Sequence, residues 1–557
     1  MKIHLLILIC LFTKVFSQNL TVNKLFYPPL GIPMQLASGF GDLRSNHFHM
    51  GIDLQTNGVE GIPIHAVLDG FVSRIKISPK GYGKVLYLQH PNGMTSVYAH
   101  CSEFAKEILD VFLPMQEKLM MNELDITVNT DDIPILKGQL IAFSGNSGTS
   151  SGPHLHFELR DSKSEDALNP FLNGFSLVDN FAPIIKAIKI YAVDEKGYQI
   201  PGKTLKINVS KTELIAGKLT KQIEIPENFV PSYGYLCLSI STADPVNNAG
   251  KTIGVFQNTC LLNGDTIFIS KIDRIAFDET RFINSHKDFV EEQATNTKFQ
   301  KLFKIQHNPL EIYKENKLGL ITINGKDSLG LEVIVSDLNA NKANLKFTVK
   351  NIFSKVPKSR IFYESKTFFL PDSSYTLKTK NARIEIEKNT FYEPVNKLFI
   401  GSPLQICLAT IPIHKPLKIF LKAKDNFPIQ KQYIKVNKDA LKTKILENEL
   451  FAEALTLGFI SIQIDTTSPQ INTNNFKEID STISKKVLTW KISDSQTAIS
   501  SYNLFIDGKW TPLEYDLKNQ ILVFNRKNIT LNKSVIRIIL SDACGNEKVW
   551  EKILIFL

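Results

Sequence analysis

Cysteine is scarce in this chain, and its scarcity limits the chemistry that the protein performs. The 557 residues contain six cysteines, of which Cys10 lies in the apolar stretch at the N-terminus. The other five are widely spaced and odd in number, which argues against a disulfide framework. They are Cys101, Cys237, Cys260, Cys407 and Cys544. Two alternatives fit Cys237 and Cys260: they form a pair, or they remain two buried free thiols.

Long apolar runs are absent beyond the N-terminus, so we expect no transmembrane segment in the mature chain. The N-terminus itself has a basic Lys2, an apolar stretch from Ile3 to Phe12, and a small residue, Ser17, before Gln18. This order predicts a secretory signal peptide over residues 1–17. The mature protein is then expected in the periplasm, the cell envelope or the extracellular space.

The excess of basic residues indicates an anionic environment. The formal net charge is +10, and removal of Lys2 and Lys14 with the signal peptide leaves +8. A basic surface suits an anionic cell envelope, including peptidoglycan and its attached polymers. The chain contains no nucleic-acid motif and is predicted to leave the cytoplasm, so nucleic acid is not expected as a partner.

Histidines are concentrated in one part of the chain. Seven of the 11 lie between His47 and His156. The stretch His154-Leu155-His156 places two imidazoles at positions i and i+2, which point to the same face of a β-strand. Leu155 and Phe157 would then turn into a core. The pattern favours a metal ligand beside a catalytic base, and the alternative is a pair of surface or hydrogen-bonded histidines.

A second motif pairs His49 with Asp53, four residues later. The helical His-Glu-x-x-His zinc motif is excluded because the chain has no His-Glu dipeptide and because Gly51 interrupts the segment. His49, Asp53 and one histidine of the 154/156 pair make a set of two nitrogens and one oxygen. Three protein ligands with an open fourth position are typical of a catalytic zinc site. No cysteine lies near these two motifs, so a closed thiolate site is not expected.

A third segment contributes His100. Residues 85–100 read as two short strands around the turn at Asn92-Gly93, and His100 ends the second strand. A second imidazole near a metal suits a hydrolase that orients a water molecule and stabilises an oxyanion.

These three segments together resemble the lysostaphin-type, or LytM-type, zinc metallopeptidases, which cut peptide cross-links in bacterial peptidoglycan. The resemblance covers residues 30–172 and rests on the residues 46–53, 98–100 and 145–158. It implies that His49, Asp53 and His156 bind one Zn²⁺ per chain, while His100 and His154 flank the attacking water. It also implies a small antiparallel β-sheet with the site in a groove on one face.

The resemblance has two departures. Cys101 follows His100 where the family often has leucine, and residues 103–132 form a long link with helical apolar spacing. This insert is expected to wall one end of the groove without removing any site residue. We favour His154 as the base that takes the proton of the water, because strand geometry places it beside His156. His100 then hydrogen-bonds the oxyanion; the reverse assignment stays open.

Other residues near the motifs have individual interpretations. His65 lies in an apolar strand and is expected to be packed rather than catalytic. Arg44 is a candidate substrate contact. Glu158 either orients a ligand histidine or faces solvent.

The sequence leaves two candidate functions. The first is a zinc metalloendopeptidase that hydrolyses peptidoglycan peptides; the alternative is a non-catalytic envelope protein that uses the same fold to bind cell wall or to activate a partner hydrolase.

After the peptidase region, short Ile-, Val-, Thr-, Phe- and Tyr-rich runs alternate with Asn, Asp, Gly and Pro, which predicts β-sandwich modules. Trp490 is expected to be a core aromatic residue. An envelope protein that docks on these modules is a further candidate partner.

The fold class predicted is therefore all-β: an antiparallel-sheet peptidase domain followed by immunoglobulin-like β-sandwich modules. The predicted divisions are a signal peptide, 1–17; the metallopeptidase domain, 18–175; β-rich modules, 176–350 and 351–460; and an immunoglobulin-like sandwich, 461–557.

Overall fold

The computed structural model is built mainly of β-strands, as expected for an all-β protein: 49% of the chain is strand and 9% is helix. All but two of the strand pairings in the described residues are antiparallel; the exceptions join Ile223–Ile225 to Lys342–Asn351 and Thr482–Ile483 to Glu547–Phe556. The described residues are 20–129, 132–226, 229–230, 234–246, 251–323, 328–351, 363–476, 482–526 and 533–556. The predicted signal peptide lies outside them.

The N-terminal region contains fourteen strands, one α-helix and one short 3₁₀ turn at Pro170–Leu172. Its strands are β1 Leu20–Val22, β2 Leu36–Ser38, β3 Ile52–Gln55, β4 Pro63–His65, β5 Gly70–Ile77, β6 Lys84–Gln89, β7 Met94–Cys101, β8 Glu103–Phe104, β9 Leu124–Thr127, β10 Pro134–Ile135, β11 Leu140–Phe143, β12 His154–Asp161, β13 Ala167–Leu168 and β14 Phe175–Leu177. The helix is α1 Lys106–Leu119.

The central sheet of this region positions the candidate site. Its main path runs β10-β5-β6-β7-β12-β13, and β3 pairs with the start of β12. The hairpin predicted around Asn92-Gly93 is confirmed, because β6 and β7 pair antiparallel on either side of it. Leu155 and Phe157 are fully buried, so the side chains of β12 alternate between core and site as predicted.

In its described residues, the insert at 103–132 contains one helix, α1, between the short strands β8 and β9. Helix α1 contains Pro114 and ends at Met120, whose left-handed backbone (φ 51°) stops it. Ile108 and Phe112 anchor it to the core of the N-terminal region. The helix is therefore a fixed part of this region.

The described residues between 184 and 351, called the second module, contain twelve strands and three short α-helices; the strand Arg274–Ile275 pairs with β13 of the N-terminal sheet. Its strands are β15 Ile184–Val193, β16 Gln199–Asn208, β17 Ile223–Ile225, β18 Tyr235–Pro245, β19 Thr252–Ile253, β20 Gln257–Leu262, β21 Asp265–Lys271, β22 Arg274–Ile275, β23 Gln300–Lys301, β24 Tyr313–Glu315, β25 Ser328–Ser336 and β26 Lys342–Asn351. Its helices are α2 Lys211–Ala216, α3 Ile283–His286 and α4 Phe289–Thr295, with 3₁₀ turns at Thr280–Phe282 and Lys317–Gly319.

The remaining chain forms two further β-rich units. The first contains β27 Phe368–Phe369, β28 Tyr375–Lys378, β29 Ala382–Ile386, β30 Val395–Asn396, β31 Phe399–Gly401, β32 Leu404–Ile406, β33 Leu417–Lys422, a 3₁₀ turn at Ile429–Lys431, β34 Gln432–Val436, β35 Asp439–Ala440, β36 Lys444–Leu446, β37 Glu449–Ala454 and β38 Gly458–Ile464. The second contains β39 Gln470–Thr473, β40 Thr482–Ile483, β41 Val487–Ser493, β42 Ile499–Ile506, β43 Lys509–Thr511, β44 Glu514–Asp516, β45 Ile521–Asn525, β46 Lys533–Asp542 and β47 Glu547–Phe556.

Each of these four units is built mainly around one large hydrophobic core. The last unit has two sheets, of four and five strands, that share one core around the fully buried Trp490, as predicted for that residue. The N-terminal core is not confined to the N-terminal region, because Ile272, Ile283 and Leu310 of the second module are buried in it. The exact divisions between units therefore stay predictions.

Two other predictions concern cysteine and membrane spans. All five cysteines of the described residues are buried free thiols, so the interpretation of Cys237 and Cys260 as free thiols is confirmed. Within the described ranges, no helix combines the length and the apolar character needed to cross a bilayer.

Candidate metal centre

Strand pairing brings the two short motifs together. Strand β12 pairs antiparallel with β3, and in that register His156 lies directly opposite Asp53. Directly opposite residues on adjacent strands point to the same face with their side chains in contact. His49 reaches the same place from the loop before β3. The sequence spacing of His49 and Asp53 thus reflects a loop entering a strand, as predicted, and no helix is involved.

Three side-chain atoms converge at this point. The distance from His49 Nε2 to Asp53 Oδ1 is 3.0 Å, and the distance from His156 Nδ1 to Asp53 Oδ1 is 2.9 Å. The two imidazole nitrogens are 3.0 Å apart. All three residues are buried, with at most 9% of their surface exposed. The structure therefore brings together the three residues predicted as metal ligands.

The hydrogen-bond partners of the two outer ring nitrogens show which nitrogen of each ring carries a proton. His49 Nδ1 is 2.6 Å from the carbonyl oxygen of Gly39, which only accepts hydrogen bonds, so this nitrogen donates. His156 Nε2 is 2.8 Å from Oε1 of Glu158 and donates to that carboxylate. In its neutral form, each ring consequently directs the lone pair of its other nitrogen at Asp53 Oδ1. Three acceptors that converge without a donor need a cation between them, and two imidazoles with a carboxylate suit zinc.

Glu158 belongs to a buried layer behind His156. Its Oε1 also accepts from the Tyr82 hydroxyl at 2.5 Å, and its Oε2 accepts from Arg160 at 2.7 Å. The Arg160 guanidinium in turn lies 4.0 Å from the ring centre of Phe277, in the second module. Of the two interpretations of Glu158, the solvent-facing one is wrong, because Glu158 is fully buried and hydrogen-bonds His156; the role of His156 as a ligand stays a prediction. Tyr82 and Arg160 were not predicted as site residues.

The charges of this layer follow from its contacts. Burial alone would raise the pKa of Glu158, but Arg160 and then His156 outweigh burial and lower that pKa to about 2. Burial lowers the pKa of His156, yet its hydrogen bonds to Asp53 and Glu158 outweigh burial and raise the pKa to about 9. Without a metal, a proton on His156 supplies the positive charge that the converging acceptors require.

The two histidines predicted to be catalytic lie beside this cluster. The ring centres of His100 and His154 are 4.8 Å apart, and His154 Nε2 is 3.5 Å from Asp53 Oδ1. His154 Nδ1 donates to the Gly152 carbonyl at 2.8 Å, and His100 Nδ1 donates to the Ser147 carbonyl at 2.9 Å. Each ring therefore keeps its Nε2 lone pair free to accept a proton.

His100 has an unusual backbone and a neutral ring. Its φ of 61° lies in the left-handed region, which non-glycine residues rarely adopt and which recurs at functional sites. Burial, followed by repulsion from His156 and His154, lowers its pKa to about 3. The ring is therefore neutral at physiological pH.

The remaining candidates lie at the edge of the site or outside it. Arg44 Nη2 is 3.3 Å from Asp53 Oδ2 and donates to Ser38 Oγ at 2.7 Å, so it pairs with a carboxylate at the edge of the site. Its role as a substrate contact stays a prediction. His65 packs against Tyr27 at 5.5 Å between ring centres, as expected for a packed histidine.

Both sides of the site contact other modules. On one side, the Lys287 ammonium of the second module donates to the backbone carbonyls of Arg44 and Ser45. On the other side, Lys518 of the last unit donates to Asn146 Oδ1 at 3.0 Å and to the Ser150 carbonyl at 2.9 Å, in the loop before His154. Sequence reasoning missed these lysines, because residues separated by hundreds of positions leave no spacing signal.

The insert also has a contact that the sequence did not indicate. Asn122, just after helix α1, accepts the backbone N–H of Leu513 at 2.8 Å, and Glu117 on the helix pairs with Lys509 at 3.1 Å. The insert therefore serves as a platform for the last unit.

Glu158→Gln should weaken zinc binding about 10- to 100-fold, the usual effect of losing a carboxylate that orients a ligand histidine. Competition with a chromophoric chelator measures the zinc dissociation constant. The matched control is Glu165→Gln, because exposed Glu165 also contacts Arg160, at 3.2 Å, but does not contact His156. Equal zinc affinity in Glu158→Gln and the wild type would contradict this role.

Comparison with known proteins identifies the type of region to which this site belongs. Residues 47–110 match the family described as peptidase family M23. The matched segment includes His49, Asp53 and His100 and ends before His154.

Among characterised relatives, the DD-carboxypeptidase/endopeptidase Mpg of Neisseria meningitidis is 30% identical over 118 residues, which are 21% of this chain and 21% of that protein. An uncharacterized metalloprotease of Haemophilus influenzae is 31% identical over 110 residues, which are 20% of this chain and 18% of that protein. The chain thus spans about a fifth of the length of the curated relatives that it matches.

Solved structures give matches over about a quarter of the chain. The catalytic domain of the prophage-encoded M23 protein EnpA from Enterococcus faecalis is 26% identical, with 26% of this chain and 95% of that chain covered, at a TM-score of 0.20. The catalytic domain of lysostaphin from Staphylococcus simulans is 22% identical, with 25% and 90% covered, at a TM-score of 0.19.

Proposed function

This chain carries a domain of peptidase family M23, the LytM and lysostaphin type, and from that premise we propose that it is a zinc-dependent endopeptidase. Its proposed substrates are the peptide cross-links of bacterial peptidoglycan. The observation that carries the metal assignment is the convergence of three lone pairs, from His49 Nε2, His156 Nδ1 and Asp53 Oδ1, within 3.0 Å of one another.

The proposed zinc ligands are His49, Asp53 and His156, with one Zn²⁺ per chain. A zinc ion bound there would polarise the scissile carbonyl of the substrate and lower the pKa of a bound water to about 7. Gly39 and Glu158 hold the two imidazoles in the tautomers that ligation needs, and Arg44 helps to fix the carboxylate of Asp53. These contacts support a site that is assembled before substrate arrives.

His154 is the proposed general base. Its Nε2 carries a lone pair and lies 3.5 Å from Asp53 Oδ1, so it faces the place where the ligands converge. After it accepts a proton from water, the same nitrogen is placed to donate that proton to the departing amine. Gly152 holds the other ring nitrogen, which prevents the ring from turning away.

His100 is the proposed second catalytic histidine. Its ring lies 4.8 Å from that of His154 between centres. Its hydrogen bond to the Ser147 carbonyl fixes the ring plane and leaves the Nε2 lone pair to accept a hydrogen bond from the attacking water. To donate to the oxyanion, this nitrogen must first take a proton that the water gives up.

The substrate class is supported by the relatives and by charge. The name of the Neisseria relative describes a DD-carboxypeptidase and endopeptidase. The net charge of +10 suits an anionic envelope. Export to the periplasm or the cell surface follows from the predicted signal peptide and stays part of the proposal, as do immunoglobulin-like folds for the later modules.

Purified sacculi provide the test of the proposal. The mature chain with zinc should release peptides from sacculi, and mass spectrometry of the digest should show new amino and carboxyl termini within the cross-linking peptides. Removal of zinc with a chelator should stop the release, and His154→Ala, which leaves the proposed ligands intact, should be inactive with zinc present.

One outcome would favour a non-catalytic envelope protein instead. If the zinc-loaded chain binds sacculi but releases no peptide, while the His154→Ala variant binds equally well, the site is not used for hydrolysis. Hydrolysis that continues undiminished in the metal-free chain would likewise overturn the zinc mechanism.

A further inference from the structure

A second cluster of metal-type side chains lies at the junction between the peptidase region and the second module. Asp179 follows strand β14, Asp244 lies near the end of strand β18, and Asp337 follows strand β25. Their exposed fractions are 5%, 2% and 5%, so all three carboxyl groups are removed from solvent. One oxygen of each lies within 4.8 Å of the others.

Among the described residues, one oxygen of the Asp244 carboxyl group lacks a partner. Its Oδ1 is buried and has no hydrogen-bond partner. Within the described residues, no lysine, arginine or histidine forms an ion pair with any of the three aspartates. An unpaired buried carboxylate is costly, because it loses its hydration without gaining a partner.

The other two aspartates are held in place by polar neighbours and keep lone pairs for a further ligand. The backbone N–H of Phe181 donates to Asp179 Oδ1 at 2.8 Å. Asn341 donates to Asp337 twice, from its backbone to Oδ1 at 2.9 Å and from its side chain to Oδ2 at 2.7 Å. The cluster therefore combines the oriented carboxylates of Asp179 and Asp337 with the unpartnered Oδ1 of Asp244.

The raised pKa values of two of these aspartates also indicate uncompensated negative charge. Burial, followed by repulsion from Asp337, Asp179 and Asp42, raises the pKa of Asp244 to about 8. Burial and repulsion from Asp337 also raise the pKa of Asp179. The cluster thus holds more negative charge than its surroundings compensate, unless a proton or a cation is bound.

We propose that Asp179, Asp244 and Asp337 form a calcium site that fastens the second module to the peptidase region. The donors are all carboxylate oxygens, which Ca²⁺ and Mg²⁺ prefer and which zinc sites rarely use alone. Two oxygens bound to one Ca²⁺ at 2.3–2.6 Å are at most about 5 Å apart, which fits the spacing of the cluster. Calcium accepts irregular geometry from separate segments, whereas Mg²⁺ requires a near-ideal octahedron.

The site lies where the second module contacts the peptidase region, so a bound ion would link the two. Asn341 also donates to the backbone carbonyl of Asp179 at 3.0 Å, and Asn339 donates to that of Leu177 at 2.8 Å. The loop of Asp337 is therefore tied to the chain that leaves the peptidase region. Val246, two residues after Asp244, is buried in the N-terminal core. An ion shared by the three aspartates would lock these segments together.

Calcium binding to the full mature chain tests the proposal without reference to catalysis. After removal of bound metals and reloading with zinc alone, equilibrium dialysis with ⁴⁵Ca²⁺ counts the ions bound. Extracellular calcium modules have dissociation constants of about 10⁻⁴–10⁻³ M. The wild type should bind calcium in that range, and 10 mM Ca²⁺ should raise its unfolding temperature by about 3 °C or more.

The decisive variant is Asp244→Asn. It should lose one bound Ca²⁺ per chain and the calcium-dependent rise in unfolding temperature. Because it removes buried repulsion, it should be at least as stable as the wild type without calcium, so a failure to fold is distinguishable from a loss of the site. Asp425→Asn, at an exposed aspartate, is the matched control and should keep both properties.

Four results would overturn the proposal. The wild type binds no calcium at millimolar concentration; Asp244→Asn binds as much calcium as the wild type; or Mg²⁺ gives the same rise in unfolding temperature at the same concentration. A second buried cluster, Asp465, Asp494 and Asp542, is a competing place for calcium. Loss of the bound ion in Asp542→Asn but not in Asp244→Asn would assign the ion to that cluster and also overturn the proposal.

Discussion

Replacement of His156 by alanine should remove zinc from the chain and lower the rate of peptidoglycan hydrolysis about 1,000-fold or more. Metal catalysis contributes several kcal/mol to transition-state stabilisation, and about 4 kcal/mol corresponds to that factor. The variant loses one of three converging donor atoms and leaves the ion pair of Glu158 with Arg160 in place. Elemental analysis of the purified chain and the rate of peptide release from sacculi measure the two effects.

Asp53→Asn separates this effect from a failure to fold. It keeps the shape of the side chain opposite His156 but removes the negative charge on which both ligand imidazoles converge, so zinc affinity should fall as well. His307→Asn is the control, because His307 is exposed and outside the site; it should retain zinc and full activity. Stoichiometric, tightly held zinc in His156→Ala would contradict the ligand assignment.

Replacement of His154 by alanine should lower the turnover rate about 10²- to 10⁴-fold, the usual contribution of a general acid–base residue, while one zinc remains bound. His100→Ala should have a loss of the same order and should also keep zinc, because neither ring is among the three converging donors. Turnover with a cross-linked peptide substrate and the zinc content of each variant are measured in parallel.

The two histidine variants also test the division of roles. His65→Gln is the control for general effects of removing an imidazole from this region, and it should change turnover by less than about threefold. If either His154→Ala or His100→Ala loses its zinc, that histidine is a ligand and the proposed division is wrong. If both keep zinc and full turnover, neither acts in catalysis.

Much of the site could be predicted from sequence because its residues lie on short, regular elements. The i, i+2 spacing of His154 and His156 predicts a shared strand face, and the alternating Leu155 and Phe157 predict the buried one. The turn at Asn92-Gly93 predicts the hairpin that ends near His100. Local backbone geometry is sufficient for each of these predictions.

The layer behind the ligands was harder to predict. Glu158 continues the same strand face, so its position was accessible from spacing, but two interpretations of it were equally compatible with the sequence. Tyr82 and Gly39 reach the site through tertiary contacts, and the Gly39 carbonyl belongs to the backbone and has no signature in side-chain type. Their roles follow only from the hydrogen bonds that they form.

The contacts between units could not be predicted at all. Lys518 lies more than 360 residues from Asn146 and Ser150 along the chain, and nothing in the sequence pairs them. Asp179, Asp244 and Asp337 likewise have no common motif, because three separate strands deliver them to one place. Long-range pairing of this kind depends on the whole packed arrangement rather than on local periodicity.

Zinc titration of the metal-free chain tests the central claim most directly. With calcium supplied throughout, peptide release from sacculi should be absent without zinc, should rise with added zinc and should level off at one Zn²⁺ per chain. His156→Ala should show no such rise. Full release by the metal-free chain, or a zinc-dependent rise that persists unchanged in His156→Ala, would contradict a catalytic zinc bound by His49, Asp53 and His156.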